Sequence, residues 1–134
     1  MIDFPSHPLI LIVEDDALQR LATSGMFLDA GFRVLEAETA DEALQLLETN
    51  DEIALLFTDV TLPGSITGSH LAHRVTQQWP QVAIIVVSGR PRPDKLRQST
   101  SFHGKPYEPM AVLRQAMEMT TRPKGGEIRR QVYL

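Results

Sequence analysis

Four stretches of this 134-residue chain run from apolar residues into side chains that can do chemistry. Leu9–Val13 leads into Glu14-Asp15-Asp16, and 53–57 leads into Thr58-Asp59-Val60. Residues 82–87 stop at Ser88-Gly89, and a weaker run around Phe102 gives way to Lys105-Pro106. The inventory is several carboxylates, a hydroxyl and one amine. Carboxylates brought together repel one another unless a cation neutralises them. An all-oxygen donor set without His or Cys selects a hard ion, and Mg²⁺ is the natural one. One carboxylate can then act as nucleophile toward a phosphoryl group, while the ion, the amine and the hydroxyl stabilise charge on its equatorial oxygens.

These groups meet only if the runs share one sheet. None of 9–13, 53–57 and 82–87 alternates polar with apolar residues, so each strand is expected to be buried on both faces. Such strands belong to a parallel sheet whose crossover helices cover both sides. The helices are predicted between them. Residues 16–30 carry Leu18, Leu21, Ala22 and Met26 on one stripe, and Gly31 stops the pattern. Thr39-Ala40-Asp41-Glu42 has capping-box spacing ahead of Ala43, Leu44, Leu46 and Leu47. Residues 69–79 place Leu71, Ala72, Val75 and Trp79 on one face and end at Pro80. Pro109 suits the first turn of a last helix, with Met110, Leu113, Ala116 and Met117 predicted to face inward. Arg33–Ala37 and Ser101–Gly104 are weaker strand candidates. The predicted fold class is α/β, a doubly wound five-stranded parallel sheet with helices on both faces. In such sheets ligands sit beyond the carboxyl ends of the strands, where the chemistry-bearing residues fall.

Composition narrows the remaining classes. There is no cysteine, which removes disulfides and thiolate metal sites. The longest apolar runs are far too short to span a bilayer, and the opening Met1-Ile2-Asp3-Phe4-Pro5 lacks the features of a signal peptide. A cytoplasmic protein with no membrane partner is expected. The formal charge of −4 is uneven, because Arg122, Lys124, Arg129 and Arg130 face only Glu127 in the tail. The default for such a tail is a solvated end, so nucleic acid is not expected as a partner. One domain is predicted over 1–121, followed by a basic tail over 122–134.

At residues 8–120 the chain resembles the receiver domains of two-component response regulators. The resemblance rests on Leu9–Val13 with Glu14-Asp15-Asp16, on Leu55-Leu56-Phe57-Thr58-Asp59-Val60 with Leu62-Pro63-Gly64 and Gly68, on Val86-Val87-Ser88-Gly89, and on Lys105-Pro106-Tyr107. It implies the flavodoxin-like strand order 2-1-3-4-5. It also implies that Asp59 accepts a phosphoryl group from a phosphohistidine on a sensor histidine kinase or a histidine phosphotransfer protein. Glu14, Asp15, Asp59 and the backbone carbonyl of Thr61 would hold Mg²⁺, and Asp16 is either a further ligand or the cap of the first helix. Ser88 and Lys105 would bind phosphoryl oxygens. Phe102 would be the aromatic that swings with Ser88, or a plain core residue. Thr61 and Arg90 would tune the lifetime of the acyl phosphate, and the Lys105-Pro106 bond would be cis. The implied role is a phosphoacceptor switch rather than an enzyme.

The stretch 89–104 departs from the family pattern. It is short, holds Pro91 and Pro93, and offers only Leu96 and Phe102 as large apolar residues, so a fourth helix is expected to be short or absent. This resembles stand-alone alphaproteobacterial receivers with Ser-Gly-Arg-x-Arg-Pro here, and a monomer or weak homodimer is expected. Output would pass by contact with a downstream protein target, or the chain would act as a phosphate relay or sink. Two other classes compete. A Mg²⁺-dependent aspartyl phosphatase would need a second aspartate two residues after the nucleophile, where this chain has Thr61. An unphosphorylated receiver-like interaction module would have no use for the full set of acid, hydroxyl and lysine. His70 and His73 lack a third ligand and are expected to be solvated.

Overall fold

The computed structural model describes residues 7–92 and 100–121. Along the chain run β1 (Leu9–Val13), α1 (Ala17–Asp29), β2 (Arg33–Ala37), α2 (Ala40–Thr49), β3 (Ile53–Asp59), α3 (Gly68–Gln78), β4 (Ala83–Ser88), β5 (Ser101–Gly104) and α4 (Pro109–Thr121). The five strands form one sheet in the order β2-β1-β3-β4-β5, and every pair is parallel. Both the fold class and the strand order expected from the sequence are observed.

The continuous apolar strands bury both faces because the period of two splits each between two cores. Leu9, Leu11 and Val13 join α2 and α3 in one cluster with Leu44, Leu47, Leu71 and Val75. Ile10 and Ile12 enter the other, where α1 and α4 pack through Phe27, Val112 and Ala116. Thr39 caps α2 and Thr67 caps α3, each hydroxyl accepting from the backbone N–H three residues on. Gly31 takes φ 98° just past α1, the left-handed turn that ends the helix. Among the described residues no helix is long and apolar enough to cross a membrane.

The stripe predicted on α1 is largely turned outward, and the one predicted on α4 is only partly inward. On α1, Leu18 and Leu21 are 78% and 68% exposed, Ala22 is exposed, and Met26 is only half-buried. The buried face is instead Thr23, Ser24 and Phe27. The polar pair is tolerated inside because each hydroxyl is bonded: Ser24 Oγ donates to Glu36 Oε2 at 2.6 Å, and Thr23 Oγ1 lies 3.2 Å from the Tyr107 hydroxyl. On α4, Met110 and Met117 are exposed, while Ala116, as predicted, is buried beside Val112 and Leu113 packs against the same core. His70 and His73 are exposed, as expected. Of the stretch after Ser88, residues 89–92 carry no helix; the remainder of the fourth-helix expectation, 93–99, and the basic tail from 122 lie outside the described residues.

Candidate functional site

The parallel register brings the four strand ends together. Val13 pairs with Thr58, Asp59 with Val87, and Ser88 with Gly104. Glu14 therefore leaves β1 beside the end of β3, and Lys105 leaves β5 beside the end of β4. Backbone bonds fix the two outer joins: Val60 N–H donates to the Val87 carbonyl at 2.9 Å, and Lys105 N–H to the Ser88 carbonyl at 2.7 Å. The Lys105-Pro106 bond is cis.

At the centre, Asp59 is nearly buried and both its oxygens are engaged. Oδ1 accepts from the Thr61 backbone N–H at 2.9 Å, and Oδ2 accepts from Lys105 Nζ at 2.5 Å. The ammonium has three protons to give. Its other acceptors are Glu14 Oε1 at 3.3 Å and Gln19 Oε1 at 2.8 Å. The second Glu14 oxygen accepts from the Asp16 backbone N–H at 3.1 Å. Burial pushes the Glu14 carboxyl above its ordinary range, and the charge of Asp59 adds to this against the pull of the Asp16 N–H and Lys105. Burial works to lower Lys105, but its hydrogen bond to Asp59 and the charges of Asp59 and Glu14 outweigh it and raise the amine overall.

The remaining candidates take distinct places. Asp16 caps α1, its Oδ1 accepting from Gln19 N–H at 2.9 Å, which is the second of the two roles open to it. Asp15 is exposed beside it, and Thr61 is exposed in the loop after β3. Ser88 Oγ accepts from the Arg90 backbone N–H at 3.0 Å, while the Arg90 residue itself is exposed. Phe102 is half-buried and packs on the core face shared by α2 and α3.

Two residues support the site without any motif to announce them, and a third, Gly68, does so from within the loop pattern. Gln19 touches the ammonium, and Arg20 Nη1 donates to the Glu14 carbonyl at 2.9 Å while its Nε pairs with Glu36 Oε1 at 3.2 Å. Gly68 packs its α-carbon against the backbone of Asp59, so that a Cβ there would stand 1.7 Å from the Asp59 carbonyl oxygen. The first two lie on a helix surface, where a glutamine or arginine carries no sequence signal of its own. Gly68 belongs to the loop pattern of the sequence, but its close approach to β3 is visible only in three dimensions.

The donor chemistry suits a hard cation. Glu14 and Asp59 are buried carboxylates whose shared neighbour is already a positive group, and the third acceptor on that group is the amide oxygen of Gln19. Among the described residues, however, no three His, Cys, Asp or Glu side chains are gathered as a ready-made metal cluster. Glu14, Asp15, Asp59 and the Thr61 carbonyl are the groups that would hold the ion.

Comparison with known proteins gives a consistent picture. The family profile of the response regulator receiver domain matches residues 10–105. Among curated proteins, the chain is 30% identical to the sensor protein TorS of Escherichia coli, across 81% of this chain and 12% of that protein. It is 32% identical to the hydrogenase transcriptional regulatory protein HoxA of Cupriavidus necator, across 81% of this chain and 24% of that one. The chain thus spans less than a quarter of the length of these two relatives. Among solved structures, the signal receiver domain of an HD domain-containing protein from Pseudomonas fluorescens Pf-5 superposes with a TM-score of 0.74 at 25% identity, covering 85% of this chain and 97% of that one. The receiver domain from the hybrid histidine kinase CckA gives 0.72 at 26% identity, covering 84% and 99%.

Proposed function

This chain belongs to the response regulator receiver domain family, and from that membership we propose that Asp59 accepts a phosphoryl group from a phosphohistidine. The donor is a sensor histidine kinase or a histidine phosphotransfer protein. The single observation that carries this reading is the Lys105 ammonium spanning buried Asp59 and Glu14 at the carboxyl edge of the sheet. That pairing sets a positive group against the nucleophile, where charge will develop.

In the transfer, an Asp59 carboxylate oxygen forms the O–P bond as the P–N bond of the donor breaks, and the departing imidazole keeps the electron pair. Asp59 gives up its charge to the phosphoryl oxygens. Lys105 follows that charge, exchanging its bond to Oδ2 for one to a phosphoryl oxygen. Ser88, at the end of the neighbouring strand, turns its hydroxyl from the Arg90 N–H to a second oxygen. A Mg²⁺ ion held by Glu14, Asp15, Asp59 and the Thr61 carbonyl would neutralise the carboxylates and the transferring group. Thr61 and Arg90, on the exposed side, set how readily water reaches the acyl phosphate. The product is a change of state read by another protein, as an effector contact, a relay or a sink.

The test is to add Mg²⁺ and beryllofluoride, a phosphoryl mimic, and follow backbone amide shifts. Wild type is expected to shift around Asp59, Ser88 and Lys105, and Asp59→Asn to stay silent. Absence of any Asp59-dependent shift in wild type sinks the reading.

A further inference from the structure

Gln19 belongs to no motif, yet it is joined to the site twice. Its backbone N–H donates to Asp16 Oδ1 at 2.9 Å, and Asp16 N–H in turn donates to Glu14 Oε2 at 3.1 Å. Its side-chain oxygen accepts a hydrogen bond from the Lys105 ammonium at 2.8 Å, a shorter contact than the 3.3 Å to Glu14. The helix cap therefore sets the place from which the carboxamide reaches the amine. Asp59, Glu14 and Gln19 together use all three ammonium protons.

We infer that Gln19 is a positioning residue that tethers Lys105 while the amine changes partners during phosphoryl transfer, an inference that rests on the phosphoacceptor reading of Asp59. Once the O–P bond forms and the donor's P–N bond breaks, Asp59 Oδ belongs to an acyl group and is a weaker acceptor than a carboxylate. The ammonium must let go of one partner and take a phosphoryl oxygen. Glu14 and Gln19 are the two acceptors whose chemistry does not change in that step, so they are the pivots about which Lys105 turns. Lysine needs such pivots, because its four-carbon stem is flexible and loses rotamer freedom each time the amine is held. A carboxamide suits the task better than a third carboxylate. It accepts a hydrogen bond without adding negative charge where an anionic phosphoryl group must enter.

The test uses the full chain with Mg²⁺ and phosphoramidate as donor, following the phosphoprotein by ³¹P resonance. Gln19→Leu removes the acceptor at similar size, and Gln19→Glu keeps an acceptor but adds charge. Gln19→Leu is expected to phosphorylate about three- to tenfold more slowly, the scale of one ordinary hydrogen bond at an exposed position. Its Lys105 ammonium ¹⁵N resonance is expected to broaden into exchange with solvent. Gln19→Glu is expected to keep that resonance and still be slow, because charge rather than tethering is then at fault. Gln19 is exposed, so both variants should share the wild-type urea midpoint. A Gln19→Leu rate within twofold of wild type overturns the inference, as does a rate loss that follows lost stability in both variants. If wild type takes no phosphoryl group at all and matches Asp59→Asn, the phosphoacceptor reading itself has failed and the tether falls with it.

Discussion

Replacing Gly68 with alanine should damage the fold and the site together, and the cost can be worked from the packing. Gly68 opens α3 directly against the end of β3. An alanine Cβ would stand 1.7 Å from the Asp59 carbonyl oxygen, 2.7 Å from its carbonyl carbon and 2.9 Å from the Val60 α-carbon. All three atoms are backbone, so no side chain can swing aside. The φ of Gly68 is not in the left-handed region, so the objection to alanine is purely one of space. Restoring ordinary contact requires α3 to back away from β3 by roughly 1.5 Å or more, since overpacked sites relax by backbone shifts. That shift stretches the 2.8 Å bond from Gly68 N–H to the Val60 carbonyl and loosens Leu71, Ala72 and Val75 from the core. Overpacking costs about 1–3 kcal/mol and a weakened backbone bond about 1 more, so a total near 3 kcal/mol is expected. In a domain whose whole stability is about 5–15 kcal/mol, this is a large fraction. Urea unfolding of Gly68→Ala should show a markedly lower midpoint with an unchanged slope. The amide resonances of Asp59 and Val60 should move in the folded protein. A variant that unfolds within about 1 kcal/mol of wild type would refute the steric argument.

Two further substitutions probe the same logic from other directions. Gly25 lies inside α1 with nothing within 4 Å of a built Cβ, so Gly25→Ala should stabilise the fold by about 0.5–1 kcal/mol in the same urea assay. Lys105→Met leaves Glu14 and Asp59 buried without their countercharge and should cost about 2 kcal/mol near neutral pH. Because the native Glu14 carboxyl is raised above 4.5, it takes up a proton early as pH falls, so the deficit should shrink toward and below that range. Lys105 is raised above 10.5, so its own contribution is present below that pH and lost as pH rises beyond it. A deficit that grows on acidification would contradict the pairing.

The sheet was legible in the sequence because its strands are apolar on both faces, a pattern that admits few other environments. The site was legible for the same reason, since the polar residues that end those strands stand out sharply against them. The helices were less so. On α1 the more hydrophobic stripe of Leu18, Leu21 and Ala22 faces outward, and a face containing Thr23 and Ser24 packs inward. The spacing of apolar residues along a helix weighs each side chain by itself. It cannot register that Ser24 finds Glu36 on β2 and Thr23 finds Tyr107 after β5, which makes their burial acceptable. The same limit hid Gln19 and Arg20. Their roles depend on partners 86 and 16 residues away in the chain, at Lys105 and Glu36.

The charge balance of the resting site explains why these supporting contacts matter. One ammonium faces two nearly buried carboxylates, with exposed Asp15 beside them, so the cluster as it stands is negative. An arriving phosphoryl group brings further negative charge, and two like charges about 4 Å apart repel by about 4 kcal/mol at the effective dielectric of a protein surface. In the resting site the ammonium is shared between the two carboxylates, so its one positive charge does not balance them and an incoming anionic group together. On the phosphoacceptor reading a cation bound beside the ammonium would offset that repulsion, and the oxygen donors open to the exposed side at Asp15 and Thr61 would suit a hard ion. Each added carboxylate would deepen the repulsion that the cation must overcome. The neutral side chain at Gln19 and the bonding of Arg20 to the Glu14 carbonyl both hold the acids and the amine in place without adding to that negative charge.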